Sequence, residues 1–155
     1  MVALWGRRDP DLDVSALEVV GRVLRLAELV ESAIGETLRP LALSYSDFDV
    51  LSTLYRLDDA EGTHPRDLAR SALITSGAMT ARLDRLARAG LVERSADPHD
   101  RRAVRVHLTS GGRAVTETAV TRVLAVDESV LAPLGARQRE QAAALLRALL
   151  APLDV

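Results

Sequence analysis

The order of apolar and polar positions divides the chain into helices at both ends and a mixed α/β segment between them. From Ser15 to Pro40, apolar residues recur at helical spacing, which predicts one long helix that Pro40 ends. Its stripe contains Leu17, Val20, Leu24, Ala27, Ile34 and Leu38, with Val19, Val23 and Leu26 on adjoining faces. A second apolar face favours a partner helix from another chain.

The middle segment begins with two helices joined by a short turn. Pro65 suits the first position of a short helix, Thr75 is predicted to cap a longer one, and Gly90 is predicted to end it. The helical period gathers Met79, Leu83 and Leu86 on one side of the longer helix. Its opposite face is small near the start, with Ser76, Gly77, Thr80 and Ala81.

A two-stranded hairpin with an arginine-bearing tip follows these helices. Residues 91–94 form its first strand, and the strict alternation of 103–108 predicts the second. The alternation sends Val104, Val106 and Leu108 to the buried face and Arg105 and His107 to the outer face. At the tip, Asp97 and Asp100 are predicted to hold nearby arginines, such as Arg94 or the tip pair Arg101 and Arg102.

The helices that flank this segment carry their own start and stop signals. Ser44 is predicted to cap a helix that turns Phe48, Leu51, Leu54 and Tyr55 inward, and the acidic loop 58–62 after it is predicted to be solvated. Thr109 is predicted to cap a helix over 111–131, and 136–151 forms a last helix with Ala142, Leu145, Leu146, Leu149 and Leu150 on one face. Exposure of such a face costs about 25 cal/mol per Å², which favours a homodimer.

The resulting fold class is mainly α with a small β-hairpin wing (α+β). The chain is expected to form a single domain over 1–155, in which 44–109 is a winged helix-turn-helix lobe. Segments 12–40 and 110–155 are expected to form a helical dimerisation region.

This arrangement is typical of a DNA-binding protein. A helix with a small exposed face can enter a major groove, and an arginine-bearing tip suits the minor groove. The residues predicted to contact double-stranded DNA are Arg66, Ser76, Gly77, Thr80, Ala81, Arg85, Arg101 and Arg102.

The charge distribution agrees with this interpretation although the net charge of −2 does not. From Arg66 to Arg113 there are ten arginines and five acidic residues, a balance of +5, which leaves −7 for the rest of the chain. A basic central lobe between acidic flanks fits a DNA reader whose outer helices avoid phosphate.

Composition and motifs exclude several other classes. The chain lacks cysteine, which rules out disulfides and thiol redox sensing. No apolar run approaches the roughly 20 residues of a membrane span, and no signal-peptide pattern opens the chain, so a cytoplasmic location is expected. The three histidines lie far apart and no catalytic motif appears, so no enzyme activity, metal or cofactor is expected.

The run LARSALITSGAMTARLDRLARAGLVERSADPHDRRAVRVHLTSGGRAV resembles the MarR family of bacterial transcriptional regulators. The features that carry the resemblance are GLVER, the DP-x-DRR tip and the LT-x-x-G strand exit, in that order. The resemblance implies a homodimer whose winged domains grip a pseudo-palindromic operator.

The resemblance also implies a small-molecule site. One branch of the family, the urate-responsive regulators, uses residues to which Trp5, Asp49, Arg82 and Arg94 correspond here. Trp5 offers a stacking surface, the arginines offer forked donors to an anion, and Asp49 accepts from a ring N–H. The ligand is expected to be a small aromatic anion such as urate or salicylate. The alternatives are an Asp49–Arg82 or Glu93–Arg82 structural pair in a ligand-independent regulator, or a helical dimer that acts as a protein interaction module.

Overall fold

The computed structural model describes residue 5 and residues 13–72, 75–100 and 102–153. The helices are α1 (Ser15–Leu38), α2 (Tyr45–Leu57), α3 (Pro65–Ser71), α4 (Ser76–Arg88), α5 (Ser110–Leu131) and α6 (Ala136–Leu150). A short 3-10 helix, Arg39–Leu41, follows α1, and the strands are β1 (Val92–Ala96) and β2 (Val104–Leu108). The predicted fold class, mostly helical with a two-stranded hairpin, is confirmed.

The core is built from the second half of α1, from α2, α3 and α4, from the hairpin, and from α5 as far as Val123. Its fully buried members include Leu38, Leu51, Leu68, Met79, Leu83, Leu86 and Val106. Met79, Leu83 and Leu86 thus form the buried side of α4, as its helical period predicts. This side fixes which face of α4 is left for solvent.

Local start and stop signals place most element boundaries. The Ser44 hydroxyl accepts from the Asp47 amide and the Asp47 carboxylate accepts from the Ser44 amide, which makes a capping box. Thr75 accepts from the Ala78 amide, and Gly90 adopts a φ of 70° after α4, the left-handed region that glycine enters readily. These predicted caps are confirmed.

The hairpin is antiparallel, with Val92 opposite Leu108 and Ala96 opposite Val104. Thr63 adds a single bridge to Val106 on the other side of β2, through two backbone hydrogen bonds of 3.0 Å. Two predictions about β2 are wrong in consequence. Val104 is exposed because it lies at the end of the strand, towards the tip, and Arg105 is largely covered because the 58–63 loop lies over it.

The sequence suggests that the acidic loop after α2 is only solvated. In the structure, the loop forms ion pairs with two other elements. Asp58 Oδ1 lies 2.5 Å from Arg113 Nη2 at the start of α5. Asp59 and Glu61 face the Arg105 guanidinium at 3.8 and 3.5 Å. The loop therefore links α2 to both the hairpin and α5.

The terminal helices keep large apolar faces exposed in the single chain. In α1 only Ile34 and Leu38 are buried, and in α6 no residue is buried. Exposed apolar residues include Val20, Leu24, Leu26, Leu29, Leu145, Leu146, Leu149 and Leu150. Among the described helices, none has the length and hydropathy that a membrane crossing requires.

Candidate nucleic-acid interface

The second helix of the helix-turn-helix, α4, presents a face of small residues to solvent. Ser76, Gly77, Thr80 and Ala81 are all exposed, opposite the buried Met79 and Leu83. The Thr80 hydroxyl donates to the Ser76 carbonyl at 2.9 Å, so its oxygen stays available as an acceptor. These four positions carry only small side chains, so base edges could approach the helix backbone closely.

Arg85 lies one turn further along α4 and has a partner in the core. Its Nη2 meets Oδ1 of Asp47, a carboxylate with no exposed surface, whereas the Arg85 side chain is 47% exposed. The other Asp47 oxygen accepts from the Ser44 amide at 2.9 Å and the Ser44 hydroxyl at 2.7 Å. One carboxylate therefore caps α2 and anchors α4, while the outer N–H groups of Arg85 remain free for a phosphate.

The start of the hairpin tip is organised around buried Asp97. Its Oδ2 accepts from Arg105 Nε at 2.6 Å, and its Oδ1 accepts from the amides of His99 and Asp100 at 2.7 and 3.0 Å. The hydrogen bond from the His99 amide, followed by that from Arg105, lowers the pKa of Asp97 to about 2, although partial burial opposes the shift. Asp97 is thus a fixed negative anchor at neutral pH, and its arginine partner is Arg105 rather than Arg94 or the tip pair.

Arg105 extends this anchor to the acidic loop. Its Nη1 donates to the Gly62 carbonyl at 2.9 Å, and its contacts with Asp97, Glu61 and Asp59 raise its own pKa. His64, which precedes α3, also places Nε2 3.3 Å from Asp97 Oδ2. Because the hairpin, the acidic loop and His64 share this carboxylate–guanidinium pair, the hairpin is fixed in direction relative to the acidic loop and the start of α3.

The described part of the hairpin tip carries one exposed cation, Arg102. The Ala103 amide donates to the Asp100 carbonyl at 2.9 Å and the Arg102 amide to Asp100 Oδ1 at 2.9 Å, which closes the turn. Arg102 is exposed, and Arg101 lies outside the described residues. Arg66, in the first turn of α3, has a side chain that is 78% exposed, with Asp67 as a distant neighbour at 3.8 Å.

The four predicted ligand residues lie in four separate parts of the chain. Asp49 on α2 and Arg82 on α4 are half-buried, and Trp5 is 43% exposed. Arg94 on β1 is engaged by Asp84, with Nη1 2.6 Å from Oδ1. Across the described residues, no ion pair or hydrogen bond joins Asp49, Arg82 and Arg94, nor does Glu93 pair with Arg82.

A small cleft adjoins the helix that carries Asp49. It has a volume of about 330 Å³ and lies between α1 and the start of α2, lined by Ala27, Val30, Glu31, Ile34 and Tyr45. Tyr45 and Asp49 are one helical turn apart on the same face of α2. The cleft itself holds the Tyr45 ring and the Glu31 carboxylate, and Asp49 lies one helical turn beyond Tyr45.

Sequence reasoning missed two residues that hold the elements of this surface in position, Asp47 and Gly112. Asp47 contacts Arg85 on α4, and Gly112 lies directly against the Leu91 backbone. Neither contact follows from the local sequence, because each partner is distant in the chain. No group of three potential metal ligands was found in the part of the chain that the structure describes. The exposed groups of this surface are hydroxyls, small side chains and guanidinium groups.

A helix-turn-helix with an exposed small-residue face and a cationic hairpin defines the winged helix-turn-helix class. The sequence model of the MarR family matches residues 43–104. The HTH-type transcriptional regulator PecS from Dickeya dadantii is 31% identical over 146 residues, which cover 94% of this chain and 88% of that protein. The chain belongs to the MarR family.

Solved structures agree with this assignment. A MarR variant from E. coli in complex with operator DNA superposes with a TM-score of 0.76 at 29% identity, over 90% of this chain and 99% of that one. The Mycobacterium tuberculosis MarR family protein Rv2887 in complex with salicylic acid gives a TM-score of 0.65 at 31% identity, over 84% and 95%. The chain thus shares the fold of regulators solved with operator DNA and with a small aromatic acid.

Proposed function

We propose that the protein is a sequence-specific DNA-binding transcriptional regulator that acts as a homodimer. The observation that carries the proposal is the exposed small-residue face of α4 beside the outward-facing cation of the hairpin tip. The face enters the major groove through Ser76, Gly77, Thr80 and Ala81, with Arg85 on a phosphate. Arg101 and Arg102 reach the minor groove or its phosphates, and Arg66 contacts the backbone.

The proposed division of the chain follows from burial. Residues 44–109 form the DNA-binding lobe, and 12–40 with 110–155 form the dimerisation region, as parts of one domain over 1–155. The exposed leucines of α1 and α6 support this division, since such faces are covered in a dimer. A regulator of this kind works beside the chromosome, in the cytoplasm, and needs no enzyme activity.

The DNA proposal is tested by selection of preferred sequences from a random duplex pool. The selected sites are expected to be pseudo-palindromic, with half-sites about 10 bp apart. Thr80→Ala is expected to relax base preference, because it removes a hydroxyl from the groove face. Arg102→Ala is expected to weaken binding to every sequence and to lower the slope of log affinity against log salt by about 1.

The matched control for Arg102→Ala is Arg137→Ala, which removes an exposed arginine from α6, far along the chain from the hairpin. Its salt slope should equal that of the wild type. A wild-type protein without measurable affinity for random duplex DNA at low salt would contradict the DNA proposal and favour a protein interaction module.

We further propose that a small aromatic or carboxylate ligand releases the regulator, as a repressor, from its operator. The supporting observations are the half-buried Asp49 and Arg82, and the cleft beside Tyr45 on the same face as Asp49. Arg94 joins the site only when the ligand anion replaces Asp84 at its guanidinium. Arg82 is therefore the first anion contact, and Trp5 stacks on the bound ring.

Titration with urate and with salicylate tests this site, since Trp5 is the only tryptophan. Fluorescence quenching and loss of operator binding are expected to follow the same concentration dependence. Arg82→Ala is expected to weaken both responses, whereas Arg122→Ala on α5 leaves them unchanged. If neither compound alters operator binding, the protein is a ligand-independent regulator.

A further inference from the structure

The last helix, α6, is attached to the rest of the chain in an unusual way. It has no buried residue, and only Arg139 and Ala142 are even partly covered. Alone among the described helices, it packs extensively against no other described element. Its direction relative to the rest of the chain must therefore be fixed at the turn that precedes it.

One guanidinium closes that turn. Arg139 Nη1 donates to both carboxylate oxygens of Glu128, at 2.9 and 2.8 Å. Its Nε donates to the Leu134 carbonyl and its Nη2 to the Leu131 carbonyl, each at 3.1 Å. Arg139 thus joins the last turn of α5, the connecting turn and the first turn of α6.

The chemistry of the turn explains why an arginine is required there. The last carbonyls of a helix have no partner within the helix, and the C-terminal end of the dipole favours a cation. Pro133 has no N–H with which to satisfy such a carbonyl. The forked guanidinium supplies donors in three directions at once, which an ammonium on a flexible stem does not do.

This contact differs from an ordinary surface ion pair. The Arg139 side chain is 31% exposed, and two of its groups donate to backbone carbonyls rather than to a mobile carboxylate. A single exposed pair adds little to stability. A side chain that fixes three backbone segments limits the angles that the turn can adopt.

We infer that Arg139 is a positioning residue that holds α6 at the angle needed to dock on a second copy of this chain. The inference rests on the proposed homodimer. The occupant is a second copy because Leu145, Leu146, Leu149 and Leu150 expose 46–67% of their surfaces while α1 exposes its own apolar residues. A helix already set in its bound direction loses less conformational freedom on association, so the clamp tightens the dimer.

The dimer dissociation constant, measured by sedimentation over a dilution series, tests this role. Arg139→Ala is expected to raise it at least tenfold, and Arg139→Lys to raise it by a smaller factor because the ammonium cannot reach all three acceptors. Glu128→Gln keeps the contacts of Arg139 with the backbone carbonyls. Its dimer dissociation constant is expected to lie between those of the wild type and Arg139→Ala. Arg88→Ala, which removes an exposed arginine outside the proposed dimerisation region, is the control and should leave the constant unchanged.

A second measurement separates positioning from general stability. The chain has no cysteine. Spin labels attached to the double variant Arg122→Cys, Gln141→Cys therefore report the α5–α6 distance directly. In samples diluted with unlabelled protein, Arg139→Ala is expected to broaden this distance distribution at a temperature at which circular dichroism shows that the chain is still folded.

The possible results distinguish the two proposals. A wild-type protein that stays monomeric at every concentration would contradict the homodimer itself. A dimeric wild type whose dissociation constant and label distances are unchanged by Arg139→Ala would overturn the positioning role alone.

Discussion

Replacement of Gly112 by alanine is expected to lower the free energy of unfolding by about 3 kcal/mol, the upper part of the range for overpacked sites. A Cβ at Gly112 would lie 1.8 Å from the Leu91 carbonyl oxygen and 2.7 Å from its carbon. The obstacle is backbone, so no rotamer change relieves the overlap. Leu91 must move away from α5, and with it the start of the hairpin.

The same substitution is expected to weaken operator binding. The Leu91 carbonyl accepts from the Thr109 amide at 3.1 Å, a hydrogen bond that ties the hairpin to the start of α5. Displacement of Leu91 shifts the hairpin relative to α4, so the two elements that are proposed to contact DNA lose their common geometry. The loss of affinity should therefore accompany the loss of stability.

Gly111→Ala is the matched control, one residue earlier in the same helical turn. Gly111 is exposed, and the nearest atom to a Cβ there is the Thr109 hydroxyl at 3.8 Å. Alanine is favoured over glycine in a helix by up to about 1 kcal/mol, so this variant should be neutral or more stable. Urea unfolding of both variants measures the difference, and equal midpoints would show that Gly112 is not a close-packed contact.

Local signals explain why the element boundaries could be predicted from the sequence. Ser44, Thr75 and Thr109 cap their helices through hydrogen bonds to an amide three residues on, and Gly90 ends α4 by its own backbone freedom. Each of these effects is decided within one helical turn. The side chains that α4 buries follow equally from its own period.

Partners distant in the chain could not be predicted in this way. The alternation of its strand predicts an outer position for Arg105, but it carries no information on the 58–63 loop that covers this side chain. Asp97 therefore binds Arg105, and Arg94 binds Asp84 instead. A charged side chain has several possible partners, and only the packing of whole elements selects one.

The candidate site shows the same difference between features of single elements and contacts between distant elements. The small face of α4 and the cationic tip are properties of single elements, and the sequence predicts both. The placement of Arg85 over a buried carboxylate is a property of α2 and α4 together. Sequence reasoning assigned Arg85 to DNA without any indication that Asp47 already binds it.

Arg85→Ala is expected to lower the free energy of unfolding by about 2 kcal/mol, because it leaves one oxygen of the buried Asp47 carboxylate without a partner. Operator affinity should fall at least tenfold, since α4 loses both its anchor to α2 and a cation near the DNA. Arg85→Lys keeps the charge but not the fork that serves two acceptors, so it should recover only part of either loss.

Arg88→Ala provides the control on the same helix, because Arg88 is exposed and its Nε only donates to the Asp84 carbonyl at 3.3 Å. Its unfolding free energy should stay within about 0.5 kcal/mol of the wild type. The double variant with Asp47→Ala removes the stranded carboxylate, so it should be less destabilised than the sum of the single variants. If the two effects simply add, Asp47 and Arg85 act independently, and α4 is oriented by its buried face alone.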